Sequence, residues 1–172
     1  LPIYPKAANW LMKAKSQAEA GEWASAMELL QKISELPEDS LIEHEGRWTS
    51  IRSAADDLRG KAPADVIEDY RTQFNGLARQ LLSEAQRSGR PADLGRVARG
   101  FFHTAAGYEA ANRLGSYHLD RGEYAMASRW FEALLQAGPE FTRDPRWKLK
   151  AAYAFKGATH KQAAEKLVAS VD

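Results

Sequence analysis

Cysteine is absent from the 172-residue sequence. That excludes disulfide frameworks, thiolate metal sites, haem attachment and a cysteine nucleophile, and it leaves the redox compartment open. Long apolar runs are missing too: 27% of residues are charged and the mean hydropathy is -0.53, so no stretch reads as a bilayer span. No glycine-rich phosphate loop is in view, and almost nothing alternates with period two. Methionine is also missing at the first position, where the chain opens on Leu1-Pro2. The sequence is therefore expected to be a piece of a longer or processed polypeptide.

What is present is apolar spacing near 3.6, punctuated by Gly and Pro, which predicts an all-α chain of helical hairpins. The clearest stretch runs from Leu114 to Pro139, anchored by Gly115, His118, Gly122, Tyr124, Ala127, Phe131 and Leu134. Small Gly115 and Ala127 let two antiparallel helices approach closely, Gly122 turns the chain, and Tyr124 and Phe131 fill the seam. A first hairpin is expected at about 6–20 and 23–36, with Trp10 and Ala14 facing Ala26, Leu30 and Ile33, a turn at Gly21-Glu22-Trp23, and Pro37 following. A last hairpin begins after Asp144-Pro145, placing Trp147, Ala151, Ala163 and Leu167 inward around a turn near Gly157-Ala158-Thr159.

The Leu114–Pro139 pattern resembles a tetratricopeptide repeat. The distance from Ala14 to Gly115 is close to three such units, and from Gly115 to Ala151 about one, so two degenerate hairpins are expected between. One is placed at about 47–60 and 63–75, opened near Pro63, with Trp48, Ile51, Ala55, Val66, Tyr70 and Phe74 inward. The other occupies about 76–88 and 91–102, using Leu81, Leu82, Ala85, Leu94, Ala98 and Phe101, with a turn at 103–105. The resemblance implies a single right-handed α-solenoid of about five antiparallel helix hairpins over 1–172, in which each hairpin covers its neighbour's apolar face. An ordinary helical bundle is the alternative. The final Val168-Ala169-Ser170-Val171-Asp172 would leave an apolar edge for a following domain to cover.

A second resemblance rests on Leu36-Pro37-Glu38-Asp39-Ser40, Gly46 to Arg52, Tyr70 to Phe74, Ala78 to Leu82 and Phe102 to Ala110. Together these are similar to the helical N-terminal region of planctomycete-type bacterial proteins that continue into a pyrroloquinoline-quinone-type β-propeller. It implies a periplasmic or envelope location, with the cytoplasm as alternative, and a β-propeller downstream in the same polypeptide. It brings no catalytic residue, and no cofactor is expected in a chain without a propeller blade.

Chemistry-bearing residues have plain readings. His44-Glu45 resembles the start of a zinc helix, but Trp48 stands where the second histidine would be, so an exposed pair is expected and no metal. His103 falls in a turn, His118 at an aromatic packing position, and His160 at the start of the last helix, where a capping or exposed role suffices. Asp56-Asp57 and Glu68-Asp69 read as exposed helix faces. No enzymatic activity is expected. The tryptophans Trp10, Trp23, Trp48, Trp130 and Trp147 read as core by default, with Trp130 the exception because Phe131 beside it already points inward, leaving it either an exposed anchor on the convex side or packed against the last hairpin.

Charge is polarised. Residues 1–69 carry 13 acids against 8 bases, and residues 70–172 carry 10 acids against 16 bases. In tetratricopeptide arrays the first helix of each hairpin lines the concave face. Carried onto this sequence, that resemblance implies a basic stripe of Arg79, Arg87, Asn112, Arg113, Lys148 and Lys156, suited to an acidic peptide or protein partner. The specialised clamp for a C-terminal carboxylate is not matched, since Leu11 and Lys15 replace its Lys and Asn. Interleaved acids such as Glu84, Asp93, Asp120 and Glu123 argue against nucleic acid. The expected role is a non-catalytic protein-interaction scaffold. The alternatives are a solvated face with no ligand, or a spacer or dimerisation arm that positions the downstream propeller and associates with a second copy.

Overall fold

A computed structural model describes residues 5–36, 38–44 and 46–171, leaving the side chains of His44 and Arg47 aside. Leu1-Pro2, Pro37, Glu45 and Asp172, all singled out in the sequence, lie outside the described residues. The chain is mostly helical: nine α-helices and one two-stranded hairpin occur among the described residues. Contacts divide them into two compact units, one of residues 1–76 with 99–101, the other of residues 77–98 with 102–172.

In unit 1, α1 (Pro5–Glu19) and α2 (Trp23–Ser34) form a hairpin. Ala7, Leu11 and Ala14 of α1 meet Ala26, Leu30 and Ile33 of α2, at the 3.6 spacing that puts them on one face. Expected helix at 47–50 is instead strand. Here β1 (Leu41–His44) pairs antiparallel with β2 (Arg47–Ser50), Ile42 opposite Thr49 and Glu43 opposite Trp48. Gly46 at φ +74° supplies the turn, a backbone conformation that costs glycine little. The pleat sends Ile42 toward the core while Trp48 stays 63% exposed, so Trp48 corrects the expectation of an inward tryptophan. Ser50 then caps α3 (Ile51–Arg59) by accepting from the Ser53 N–H at 3.2 Å. Ile51, Ala54 and Ala55 of α3 join Tyr70 in the unit 1 core.

The next correction concerns α4 (Ala64–Ser88), one continuous 25-residue helix where a break between hairpins was expected at 75–76. Gly76 sits inside it without a positive φ. A single helical glycine costs only about 1 kcal/mol, too little to end a helix with good formers on both sides. Its first half belongs to unit 1 and its second to unit 2.

The second helix of this region, α5 (Pro91–Gly100), starts with proline at the first helical position after Gly89 at φ +66°. In unit 2, α6 (Ala105–Asp120) is capped by Thr104, whose Oγ1 accepts from the Gly107 N–H at 3.0 Å. It pairs with α7 (Tyr124–Ala137), and α8 (Pro145–Gly157) pairs with α9 (Lys161–Ala169).

Three hairpin turns repeat one hydrogen-bond pattern. The N–H groups of Glu22, Glu123 and His160 each donate 2.8 Å to a carbonyl five residues back, those of Gln17, His118 and Phe155. Gly21, Gly122 and Thr159 precede them at φ +79°, +73° and +66° and donate three residues back, closing a left-handed helix stop. The last of these turns has the same length but lies 37 residues after its counterpart, where the spacing of Gly115 and Ala151 suggests 36, so Ala152 rather than Ala151 answers Gly115 and α9 is offset with it. Ala164 is buried in place of Ala163, while Leu167 is buried as expected.

Candidate partner-binding site

The six stripe residues all fall in unit 2. Arg79 and Arg87 stand exposed on the second half of α4, the Arg87 guanidinium donating to Ser83 Oγ at 3.3 Å. On α6, Arg113 is exposed and pairs with Glu109 at 2.7 Å, one helical turn back, an arrangement of modest strength in water. Asn112 is half-buried and committed inside the fold: its Oδ1 accepts from Trp147 Nε1 at 2.9 Å and from Lys150 Nζ at 3.1 Å. Lys148, also half-buried, donates to the carbonyl of Ser170 at the end of α9. Lys156 is exposed.

Lys156 borders a groove of about 590 Å³ between α8 and α9. Leu149, Ala152, Tyr153 and Lys156 recur at three- and four-residue steps along α8. Lys161, Ala164, Glu165, Val168 and Ala169 face them from α9. Leu149 and Val168 are each 49% exposed and Tyr153 59%, so the floor is an uncovered apolar surface with lysines at its margin. Val168 was singled out in the sequence as part of an apolar edge; Leu149 and Tyr153 were not.

A smaller groove, about 310 Å³, lies in unit 1 between α1, β1 and α3. Its Lys15 and Lys61 are matched by Glu43 and Asp57, so it presents no net charge preference.

Unit 1 also holds a buried polar network that corrects the expectation of an exposed Asp56. Arg59 is fully buried, donates to Asp56 Oδ1 at 2.5 Å and Ser34 Oγ at 2.9 Å, and lies 5.4 Å over the Tyr70 ring. The Tyr70 hydroxyl donates to Gln31 Oε1 at 2.9 Å, and Gln31 Nε2 donates to the Gly100 carbonyl at 3.2 Å. Burial pushes the Asp56 carboxyl up to about 6, outweighing the pull of Arg59, with 31% of its side chain still exposed. Burial likewise pushes Tyr70 up to about 12. The network is directed inward and offers no open face for a substrate.

The histidines have local partners. His118 Nδ1 lies 2.6 Å from Glu123 Oε2, and that hydrogen bond holds the Glu123 carboxyl below its ordinary value. His103 packs edge-on to Phe102, and His160 stacks on Phe155 without a side-chain cap bond. Trp130, for which either an exposed position or packing against the last hairpin was open, is half-buried. Among the described residues, no group of three or more His, Asp or Glu side chains is placed to hold a metal ion, and no helix is long and apolar enough to cross a membrane. No family model, curated protein or solved structure matches this chain.

Proposed function

We propose that the chain is a non-catalytic scaffold of tetratricopeptide-type hairpins that binds an acidic protein or peptide through unit 2. The observation that carries this is the uncovered Leu149–Tyr153–Val168 surface with Lys156 and Lys161 at its margin. Apolar area supplies affinity, and the lysines favour a partner carrying carboxylates and raise its encounter rate. The repeated turns support hairpins built on one plan. Exposed Arg79, Arg87 and Arg113 extend the positive charge of the same unit. A solenoid continuing into a propeller in the bacterial envelope remains part of the proposal, on the sequence resemblance alone.

The test is capture from bacterial envelope extract, comparing the chain with a variant carrying Arg79→Glu, Arg113→Glu and Lys156→Glu whose helicity is verified by circular dichroism. A partner retained by the parent and lost by the variant supports basic-face binding. Equal retention moves the site away from these residues. No capture, together with a mass that grows with concentration, favours the spacer or dimerisation arm.

A further inference from the structure

The groove between α8 and α9 has a counterpart within the same unit that is already filled. The α6–α7 hairpin seats α8. Asn112 and Ser116 of α6 receive Trp147 Nε1 and Lys150 Nζ, at 2.9 Å and 3.0 Å respectively. From α7, Phe131 lies edge-on to the Trp147 ring at 5.5 Å, and Tyr124 lies against Gly157 so closely that a Cβ there would be 2.3 Å from its ring.

Moving 37 residues along both helices, the offset of the two turns, maps these four seat residues onto Leu149, Tyr153, Lys161 and Val168. All four line the groove. The groove is thus shaped as a helix seat, and its chemistry has changed. The amide of Asn112 has become the side chain of Leu149, the hydroxyl of Ser116 the ring of Tyr153, the Tyr124 ring a lysine and the Phe131 ring a valine.

We infer that this seat receives an amphipathic, acidic α-helix of a partner protein, docked on α8 and α9 as α8 docks on α6 and α7. Its apolar stripe covers Leu149, Tyr153 and Val168, and carboxylates flanking the stripe meet Lys156 and Lys161. Where Lys150 of α8 meets Asn112 and Ser116, the incoming helix carries an apolar residue, because the new seat offers the Leu149 side chain and the Tyr153 ring there. The inference rests on the scaffold proposal and names its partner's form.

The experiment uses a helix-constrained synthetic peptide of 13 residues, the length of α8, because so short a helix is marginal when free. Leu occupies its i, i+4, i+7 and i+11 positions and Glu flanks them; a second peptide has Lys in place of every Glu. Binding to the whole chain is read by fluorescence anisotropy at low and high salt. The acidic peptide is expected to bind, to weaken with salt, and to lose about tenfold or more in affinity for Val168→Asp and for Lys161→Glu, each loss equivalent to about 1.4 kcal/mol or more. Both changes are at exposed positions, and circular dichroism verifies that each variant keeps its helicity. The Lys peptide is expected to bind at least about tenfold more weakly.

Equal binding of the two peptides overturns the charge preference. A loss for Arg113→Glu larger than for Val168→Asp overturns the helix seat while leaving acidic-partner binding in place. Binding of neither peptide overturns the inference, and the envelope-extract capture then decides whether the scaffold proposal falls with it. Self-association abolished by Val168→Asp would assign the seat to a second copy instead.

Discussion

Gly115 of α6 lies directly beneath the ring of Phe131 on α7: a Cβ at that position would stand 2.5 Å from Phe131 Cε1. Phe131 is fully buried and also meets Trp147, so the ring has no room to retreat. Gly115→Ala is expected to destabilise the chain by about 1–3 kcal/mol in denaturant unfolding, as overpacking does. Gly76→Ala, with nothing within 4 Å of the new methyl inside a continuous helix, is expected to stabilise it by about 0.5–1 kcal/mol. Equal effects of the two would contradict the close approach of α6 and α7.

Thr159 holds the left-handed position that Gly21 and Gly122 hold in the two corresponding turns, at φ +66°. A β-branched residue is strained there, so Thr159→Gly is expected to raise stability by about 1 kcal/mol despite the greater freedom glycine brings to the unfolded chain. A loss of stability by thermal unfolding would show that the Thr159 side chain makes a contact outweighing the strain.

The buried network of unit 1 gives a pH dependence. The Asp56 carboxyl is raised from an ordinary 3.8 to about 6, so between those values the folded chain holds a proton that the unfolded chain has released. Its contribution therefore favours folding below about pH 4 and is lost as pH rises toward 6. Asp56→Asn cannot titrate and is expected to flatten that part of the stability profile measured by urea unfolding. An unchanged slope would mean that Asp56 titrates normally in the fold.

Removing the cation is expected to cost more than removing the hydroxyl. Arg59→Ala leaves Asp56 and Ser34 without their buried donor and is expected to cost about 3 kcal/mol. Tyr70→Phe leaves the Gly100 carbonyl still bonded to Gln31 and is expected to cost about 1 kcal/mol. Chemical denaturation of both variants checks the order.

Helical period was enough to find most helices, because stripes such as Ala7–Leu11–Ala14 and Ala127–Phe131–Leu134 run over several turns. The β1–β2 hairpin escaped it: four residues per strand give too few alternations, and Trp48 at an apolar position of a helical frame looked like core. The break expected at 75–76 came from counting repeat units, and the continuous α4 runs through it because good helix formers flank Gly76. The one-residue shift that buries Ala164 instead of Ala163 comes from a step of 37 residues between the last two hairpins, where Gly115 to Ala151 had suggested 36. Asp56 beside Asp57 read as solvent-facing because its partner Arg59 is itself buried. At the candidate site, the sequence singled out Lys156 and Val168, but Leu149 and Tyr153 are exposed only because no further described helix packs on α8 and α9.

The central claim is that unit 2 engages an acidic partner, and the most direct measurement is amide hydrogen exchange of the whole chain with and without the captured partner or the acidic helix peptide. Slowed exchange concentrated in α8 and α9, reversed by Val168→Asp, is the predicted result. Slowed exchange confined to α1, α2 and α3, with α8 and α9 unchanged, would contradict it.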